Sequence, residues 1–146
     1  MPGLVGFTCH NLCLSQDKSQ ILRNMQDLIT HRSFNVKDEL FTDSHVCAAR
    51  THTNIIQKNP QPYHHENLYV WLDGEFFNQT ELHGISATEH NSDLSILAFL
   101  FQQNKGTDFS FLREIDGIYA AVIYDSQKQR IHLISDRYGL CHLYWM

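Results

Sequence analysis

The sequence predicts an α+β fold in which helices pack on mostly antiparallel strands, and three observations support this. Residues 19–30 and the stretch after Ser92 carry apolar side chains at helical spacing. Several shorter runs are rich in the β-branched and aromatic residues that strands favour. The run 118–124 is apolar at nearly every position, as in a strand covered by helices on one face and a second sheet on the other. We therefore expect a layered sandwich, formed as a single domain by residues 1–146.

The first half of the chain is predicted to contain one helix and two strands. Residues 4–7 are a short apolar strand, and residues 45–51 are a second strand. Residues 54–66 are polar and contain two prolines, which exclude them from a central strand, so we expect a loop there. The helix over 19–30 should bury one face, formed by Ile21, Met25, Leu28 and Ile29.

The second half adds a strand, a helix and a hairpin. Residues 68–72 form a strongly β-prone run, and the Asp-Gly pair that follows should stop it. Ser92 is a good helix cap, and Gly106 stands just beyond the end of the helix that Ser92 would begin. Residues 118–124 and 130–134 are predicted to pair as a hairpin.

Residues near the C-terminal hairpin are given structural roles. Asp136 and Arg137 should hold a turn by an ion pair between their side chains. His132 and His142 are interpreted as strand histidines rather than catalytic bases. The aromatic residues expected in the core are Tyr119, Tyr124, Tyr144 and Trp145.

Composition and charge exclude several classes of function. A net charge of -5 and a pI near 6.0 provide no basic surface for nucleic acid or an anionic membrane. No apolar run is long enough to cross a bilayer, and the first residues lack the features of a signal peptide. We therefore expect a soluble, cytoplasmic protein with no nucleic-acid or membrane partner.

The four cysteines are interpreted as buried reduced thiols, because disulfides are rare in cytoplasmic proteins. Cys9, His10 and Cys13 would suggest a zinc site, but no second pair of ligands follows at a suitable spacing. No metal and no cofactor are therefore expected.

Four regions of the chain, in order and suitably separated, resemble the class II glutamine amidotransferase domain of asparagine synthetases. The family begins Met-Cys-Gly-Ile-Val-Gly-Phe, and this chain reads Met1-Pro2-Gly3-Leu4-Val5-Gly6-Phe7. The family's substrate-binding arginine is matched in Ala49-Arg50-Thr51, and its Asn-Gly-Glu-Ile-Tyr-Asn series in Asp73-Gly74-Glu75-Phe76-Phe77-Asn78. Ser92-Asp93 and the closing segment 135–145 complete the match. The resemblance implies the N-terminal-nucleophile hydrolase fold, a four-layer αββα sandwich of two mostly antiparallel sheets.

The resemblance also implies a substrate pocket. Arg50 would hold the carboxylate of glutamine as a bidentate partner. The backbone of Glu75 and the side chain of Asp93 would hold the α-amino group, and Gly74 would supply a backbone donor. Simpler roles stay open for three of these residues. They are a surface salt bridge for Arg50, a favourable place at a helix N-terminus for Asp93, and a tight turn for Gly74.

Two departures from the family pattern predict that the chain cannot hydrolyse glutamine, so no catalytic residue is assigned. The nucleophilic cysteine is replaced by Pro2, which has no side-chain nucleophile. The oxyanion-stabilising asparagine is replaced by Asp73, whose carboxylate would repel the charge that develops in the transition state. We hypothesise that Asp73 instead turns towards Arg50 and fills the place of the glutamine carboxylate.

The leading interpretation is an inactive glutaminase-like domain that serves as a structural or interaction module. One alternative is an active amidotransferase with a substitute nucleophile, either Cys9 or the amine of Pro2. The other is a non-catalytic sensor of glutamine or another amino acid. In the family an ATP-dependent synthetase domain follows, and its Ser-Gly-Gly-x-Asp-Ser loop does not occur here, so the chain is either an excised domain or a stand-alone protein. The expected partners are a synthetase domain in cis or in trans, an amino acid, or a second copy of the chain.

Overall fold

A computed structural model describes residues 3–9, 17–85 and 92–146. The chain divides into two units, Met1–Pro62 and Tyr63–Met146. Each unit contains a four-stranded antiparallel sheet with a helix packed on it, which confirms the predicted α+β class. Among the described helices, none is long and apolar enough to cross a membrane.

In the first unit every other strand pairs with β4 (Val46–His52). β1 (Gly3–Thr8) runs along one edge of β4, and β2 (Val36–Lys37) and β3 (Phe41–Thr42) run along the other. The helix α1 (Lys18–Ile29) packs on β1 and β4. The predicted helix and both predicted strands of this half are therefore confirmed, with small shifts at their ends.

α1 buries a face that is only partly the one that its apolar pattern predicts: Ile21, Met25 and Ile29 are half-buried. The helix begins after Asp17, whose carboxylate accepts a hydrogen bond from the Ser19 N–H at 2.9 Å. Its buried side chains are Leu22 and Gln26, whereas Leu28 is 74% exposed. Gln26 takes an inner position because its side-chain amide donates to two backbone carbonyls, so its burial leaves that donor satisfied.

In the second unit the sheet has the order β5-β6-β7-β8, and every neighbouring pair is antiparallel. These strands are Tyr63–His65, Leu68–Phe76, Gly117–Asp125 and Arg130–Ser135. Between β6 and β7 the chain forms α2 (Gln79–Ile85), α3 (Asp93–Gln103) and a short 3-10 helix (Ser110–Arg113). α3 packs on β5 and β6, and the main apolar core of this unit lies between that helix and the sheet.

The predicted start and end of α3 are confirmed. Ser92 Oγ accepts from the Ser95 N–H at 3.2 Å, and Ser95 Oγ accepts from the Ser92 N–H at 3.2 Å. This reciprocal pair satisfies two backbone donors that the first helical turn would leave free. Gly106 follows the helix with a φ of 61°. The apolar positions that the spacing placed inside are buried: Leu94, Leu97, Ala98 and Phe101.

Two predicted boundaries in the sheet are wrong. β6 does not stop at Asp73 but continues to Phe76, because its residues keep their register with β7 to the end. The loop predicted over 54–66 ends in a strand, since Tyr63–His65 pairs with the beginning of β6. The hairpin of β7 and β8 forms as predicted.

The aromatic residues of the second unit divide into two groups. Tyr119 and Tyr124 are buried on β7, as predicted for a strand covered on both faces. Tyr144 and Trp145, which were expected in the core, are 89% and 83% exposed. The residues after β8 add no strand to the described sheet, so these two rings have no sheet position to occupy, and His142 is likewise not on a strand.

We expect the stability of the fold to decrease as the pH falls below about 6.5, because of His132. Its imidazole centroid lies 4.9 Å from that of Phe101 and 5.4 Å from that of Phe109. Burial lowers the pKa of His132 below its usual value. The unfolded chain therefore takes up a proton at a pH where the folded chain does not, and acid favours unfolding.

Urea unfolding followed between about pH 5 and pH 8 should show this loss, and His132→Gln should flatten it. The matched control is His31→Gln, which removes an exposed imidazole instead of the half-buried one. The same slope in both variants would contradict the assignment to His132.

Candidate active site

The position of the family's nucleophile lies outside the described residues, because these begin at Gly3, one residue after Pro2. β1 starts at Gly3, whose partner in the sheet is Thr51, and Leu4 lies opposite Arg50. The strand that follows Pro2 is therefore paired directly with the strand that carries Arg50.

Arg50 is a buried residue of the first unit, with 1% of its surface exposed. Its Nη1 atom lies 3.0 Å from Asp38 Oδ2 and also donates to the Asn59 carbonyl at 3.3 Å. Its Nη2 atom donates to the Gln57 carbonyl at 2.7 Å. The simpler interpretation of Arg50 as a surface ion pair is therefore wrong, because both members of this pair are buried.

Asp38 is the centre of a larger polar network within the same unit. Its Oδ2 atom accepts from the backbone N–H of Gln61 at 3.3 Å, and its Oδ1 atom lies 3.4 Å from His52 Nε2. Gln26 donates its side-chain amide to the carbonyls of Asp38 and Arg50, at 3.1 and 2.8 Å. Sequence reasoning missed Asp38 because nothing in its neighbours marks it as buried. The predicted pairing of Asp73 with Arg50 joins residues of the two units and stays a prediction.

Two open cavities of the first unit share a wall formed by residues 37–40. The first has a volume of about 650 Å³ and is also lined by Arg23 and Asp27 of α1. The second has a volume of about 540 Å³ and is lined by His52 and Lys58 among others. Both cavities present charges of either sign, so neither has the one-sided field that would select an anionic ligand.

Gly74 has a conformation and a position that only glycine can occupy. Asp73, Gly74 and Glu75 lie on β6, and Gly74 is paired with Tyr119 of β7. Its φ is +114°, and a Cβ added to it would lie 2.0 Å from the Ile118 carbonyl oxygen. The tight turn considered from the sequence is therefore replaced by a close approach of two strands.

Asp93 fastens the start of α3 to the end of β6. It is 1% exposed, and one of its oxygens accepts from the Phe76 N–H at 3.1 Å. Its other oxygen accepts from the side-chain amide of Gln79 in α2. The carboxylate also stands in the first turn of α3, where the helix dipole favours a negative charge. Its structural role is therefore evident, whatever it binds.

Asn78, the last residue of the Asp73–Asn78 segment that matches the family, also has a structural role. Its Nδ2 atom donates to the Glu114 carbonyl at 2.8 Å, and its Oδ1 atom accepts from the Asp116 N–H at 3.0 Å. Its own carbonyl accepts from the Leu82 N–H at 3.1 Å, in the first turn of α2. Asn78 thereby ties the end of β6 to the segment that enters β7.

The turn after β8 is held by a carboxylate, although not by the predicted ion pair. Asp136 accepts hydrogen bonds from three backbone N–H groups that follow it, at 2.9 to 3.1 Å. Burial alone would raise the pKa of this carboxyl, but these hydrogen bonds outweigh it and lower the pKa. Arg137 donates instead to the Arg113 carbonyl, at 2.6 Å. The turn therefore depends on one buried acid and the backbone around it.

The described cysteines Cys9, Cys47 and Cys141 are all free thiols. Burial and the hydrogen bond with Cys9 raise the pKa of Cys47 to about 11. Burial also raises the pKa of Cys141, and the charges of Asp73 and Asp136 raise it further. Both sulfurs are therefore protonated near neutral pH. His10 and Cys13, which completed the zinc grouping considered from the sequence, lie outside the described residues.

The chain is similar to several known proteins. A family model described as a glutamine amidotransferase domain matches residues 1–146. Amidase chry2 of Gibberella zeae is 28% identical over 163 residues, which cover 99% of this chain and 24% of that protein. Two glutamine-hydrolyzing asparagine synthetases of Bacillus subtilis are also similar. Number 2 is 29% identical over 135 residues, covering 86% of this chain and 17% of that protein. Number 1 is 28% identical over 155 residues, covering 99% and 24%. The chain thus spans less than a quarter of the length of these relatives.

We expect Gly74→Ala to destabilise the fold far more than Gly139→Ala. Both glycines have a positive φ, of +114° and +64°, so each alanine carries a backbone cost of about 1–2 kcal/mol. At Gly74 the new Cβ would also collide with β7, whereas at Gly139 no atom lies within 4 Å. Urea unfolding should show a loss above about 3 kcal/mol for the first variant and about 1 kcal/mol for the second. Equal losses would contradict the close approach of the strands.

We expect Asp38→Asn to cost about 3–5 kcal/mol, because it leaves the Arg50 guanidinium buried without its counter-charge. The matched control is Asp27→Asn, which breaks the ion pair with Lys37, whose side chains are 62% and 42% exposed. Removing this exposed pair should cost less than about 1 kcal/mol. Denaturant unfolding of the two variants measures the difference, and similar losses would show that Asp38 does not neutralise Arg50.

Proposed function

Because the chain belongs to the glutamine amidotransferase domain family, we propose that it is a glutaminase-type domain that no longer hydrolyses glutamine and serves as a structural or interaction module. The observation that carries the proposal is the identity of residue 2. Pro2 stands immediately before Gly3-Leu4-Val5-Gly6-Phe7, where the family has its nucleophilic cysteine. Proline has no side-chain group that can attack an amide carbon, so the route through an acyl-enzyme is closed.

The described thiols do not supply a replacement nucleophile. Cys9 and Cys47 are buried against each other, and the pKa of Cys47 is raised to about 11. Cys141 lies near two carboxylates that also favour its protonated form. Since a thiolate, not a thiol, attacks carbonyl carbon, the surroundings of Cys47 and Cys141 do not activate their sulfurs, and Cys9 is buried against Cys47. These observations argue against the substitute-nucleophile alternative.

Asp73 provides a second obstacle to hydrolysis. By the family resemblance its position supplies an amide N–H to the oxyanion that forms on the glutamine side chain. A carboxylate cannot donate that hydrogen bond, and the loss of one such donor lowers the rate by about a hundred- to a thousand-fold. Its negative charge also repels the oxyanion. Restoring the nucleophile alone would therefore leave a poor enzyme.

The pairing of Arg50 argues against amino-acid sensing. The Nη atoms of Arg50 already bind Asp38 and two backbone carbonyls. Its Nε atom has no hydrogen-bond partner among the described residues, but it belongs to a residue that is 1% exposed. A carboxylate that bound the Nη1 atom would compete with Asp38, and displacing that acid would leave it buried without its partner. Asp93 likewise has a protein donor on each oxygen. We therefore favour the module over the sensor.

The exposed apolar residues of the second unit agree with a role in interaction. Tyr138, Leu140, Tyr144 and Trp145 lie in the segment after β8 and are each more than half exposed. Large apolar side chains grouped in one exposed segment are typical of a surface that another protein or domain covers. We propose a synthetase domain, in cis or in trans, as the partner, because relatives similar to this chain are asparagine synthetases of much greater length.

The proposal predicts that the chain releases no ammonia from glutamine above a heat-denatured blank. It also predicts no mass adduct on residue 2 after treatment with an electrophilic glutamine analogue, since proline has no side-chain nucleophile to be labelled. The informative variant is Pro2→Cys combined with Asp73→Asn, for which trace hydrolysis is the expected result. Its matched control, Pro2→Ser with Asp73→Asn, lacks sulfur at residue 2 and should stay inactive. Glutamine-dependent ammonia release by the unmodified chain would overturn the proposal.

A further inference from the structure

Two thiols of the first unit face each other across the sheet. Cys9 comes directly after β1, and its N–H donates to the His45 carbonyl at 2.8 Å, so the β1–β4 pairing extends to it. Cys47 is two residues further along β4, opposite Phe7. Residues two apart on a strand point to the same face, so the two sulfurs are diagonal neighbours on one face. Their Sγ atoms are 3.5 Å apart.

The pair is enclosed by apolar side chains. Cys9 is 7% exposed and Cys47 is fully buried, and both pack with Leu22 of α1 and with Ala49. The high pKa of Cys47 keeps this sulfur protonated at rest, so it accepts or donates the S–H contact rather than carrying a charge. Cys9 keeps a small exposed surface, whereas Cys47 has none. The two members therefore differ in accessibility, as an attacked and a resolving thiol must.

We propose that Cys9 and Cys47 are a redox-active dithiol that a peroxide converts to an intramolecular disulfide. The Cys9 sulfur attacks one oxygen of hydrogen peroxide, the O–O bond breaks, and sulfenic acid and water form. The Cys47 sulfur then attacks the Cys9 sulfur, the S–O bond breaks, and a second water leaves with the Cys47 proton. In total two thiols lose two electrons to the peroxide, giving one disulfide and two waters.

The geometry requires a modest rearrangement. A disulfide needs the sulfurs about 2.05 Å apart, so they must approach each other from the observed 3.5 Å. Diagonal neighbours in a sheet have Cα atoms about 7–8 Å apart, which is above the range of about 4.4–6.8 Å in disulfides, so the backbone must also move. Cys9 stands beyond the last residue of β1, where the backbone has fewer ladder bonds to keep, and we assign the movement to its side of the pair.

The bond would fix the end of β1 to β4. Cys9 and Cys47 are 38 residues apart in sequence, so the cross-link would remove many conformations from the unfolded chain. Oxidation should therefore raise the thermal unfolding midpoint, by about 5–10 °C for a chain of this size.

The dithiol proposal does not depend on the absence of glutaminase activity. Either proposal can fail without the other.

The test is a peptide map of the whole chain after hydrogen peroxide, with free thiols alkylated under denaturing conditions and digestion without reductant. We expect one cross-linked peptide pair that joins Cys9 to Cys47 and weighs about 2 Da less than the two reduced peptides together. The unfolding midpoint should rise in the same sample and return after a reductant. A map in which Cys9 is joined to Cys13 or Cys141, or in which Cys9 and Cys47 stay alkylatable, would overturn the proposal.

Two variants separate the steps. Cys47→Ser removes the resolving thiol, so peroxide should leave a sulfenic acid on Cys9 that a dione reagent traps, with no rise in the unfolding midpoint. Cys13→Ser is the matched control, because it removes a cysteine outside the pair and should preserve both the cross-link and the rise. Loss of the cross-link in Cys13→Ser would contradict the assignment, even if Cys47→Ser proved too unstable to examine.

Discussion

The pairing of β6 with β7 is the constraint on which the second unit depends. Nine consecutive residue pairs, from Leu68 opposite Asp125 to Phe76 opposite Gly117, fix the register of the sheet. Their side chains on one face form much of the apolar core under α3. The same pairing brings the two strands so close at residue 74 that a side chain there would overlap β7. The Asp73–Glu75 segment, which the resemblance links to a substrate pocket, is thus also part of the central ladder.

The polar residues that match the family's pocket have structural partners within this chain. Arg50 neutralises Asp38 inside the first unit, and Asp93 holds the start of α3 to the end of β6. Burying a charge is costly unless it is paired and hydrogen-bonded, and in both cases the protein provides the partners itself. A polar group with such partners resists replacement even when no ligand needs it. The presence of these residues is therefore explained by the fold, with or without a nucleophile at residue 2.

The sequence was sufficient for the class of fold and for most elements, because apolar spacing, the Ser92 cap and Gly106 are local signals. Sequence-based prediction failed where contacts with distant segments determine the structure. The end of β6 depends on its partner β7, and the inner position of Gln26 depends on two carbonyls from other segments. Family resemblance indicated Arg50 and Asp93, but their partners Asp38 and Gln79 belong to segments that no motif marks. Local pattern carries no information about such pairings.

Gly74 has a consequence for how related sequences are interpreted. Its retention is explained by the space between two strands, without reference to an oxyanion. Enzymes that have lost activity would keep this glycine for as long as they kept the sheet. A survey that infers glutaminase activity from the Gly-Glu dipeptide would therefore include both active and inactive domains. The residue at position 2, where the family resemblance places the nucleophile, would discriminate between the two.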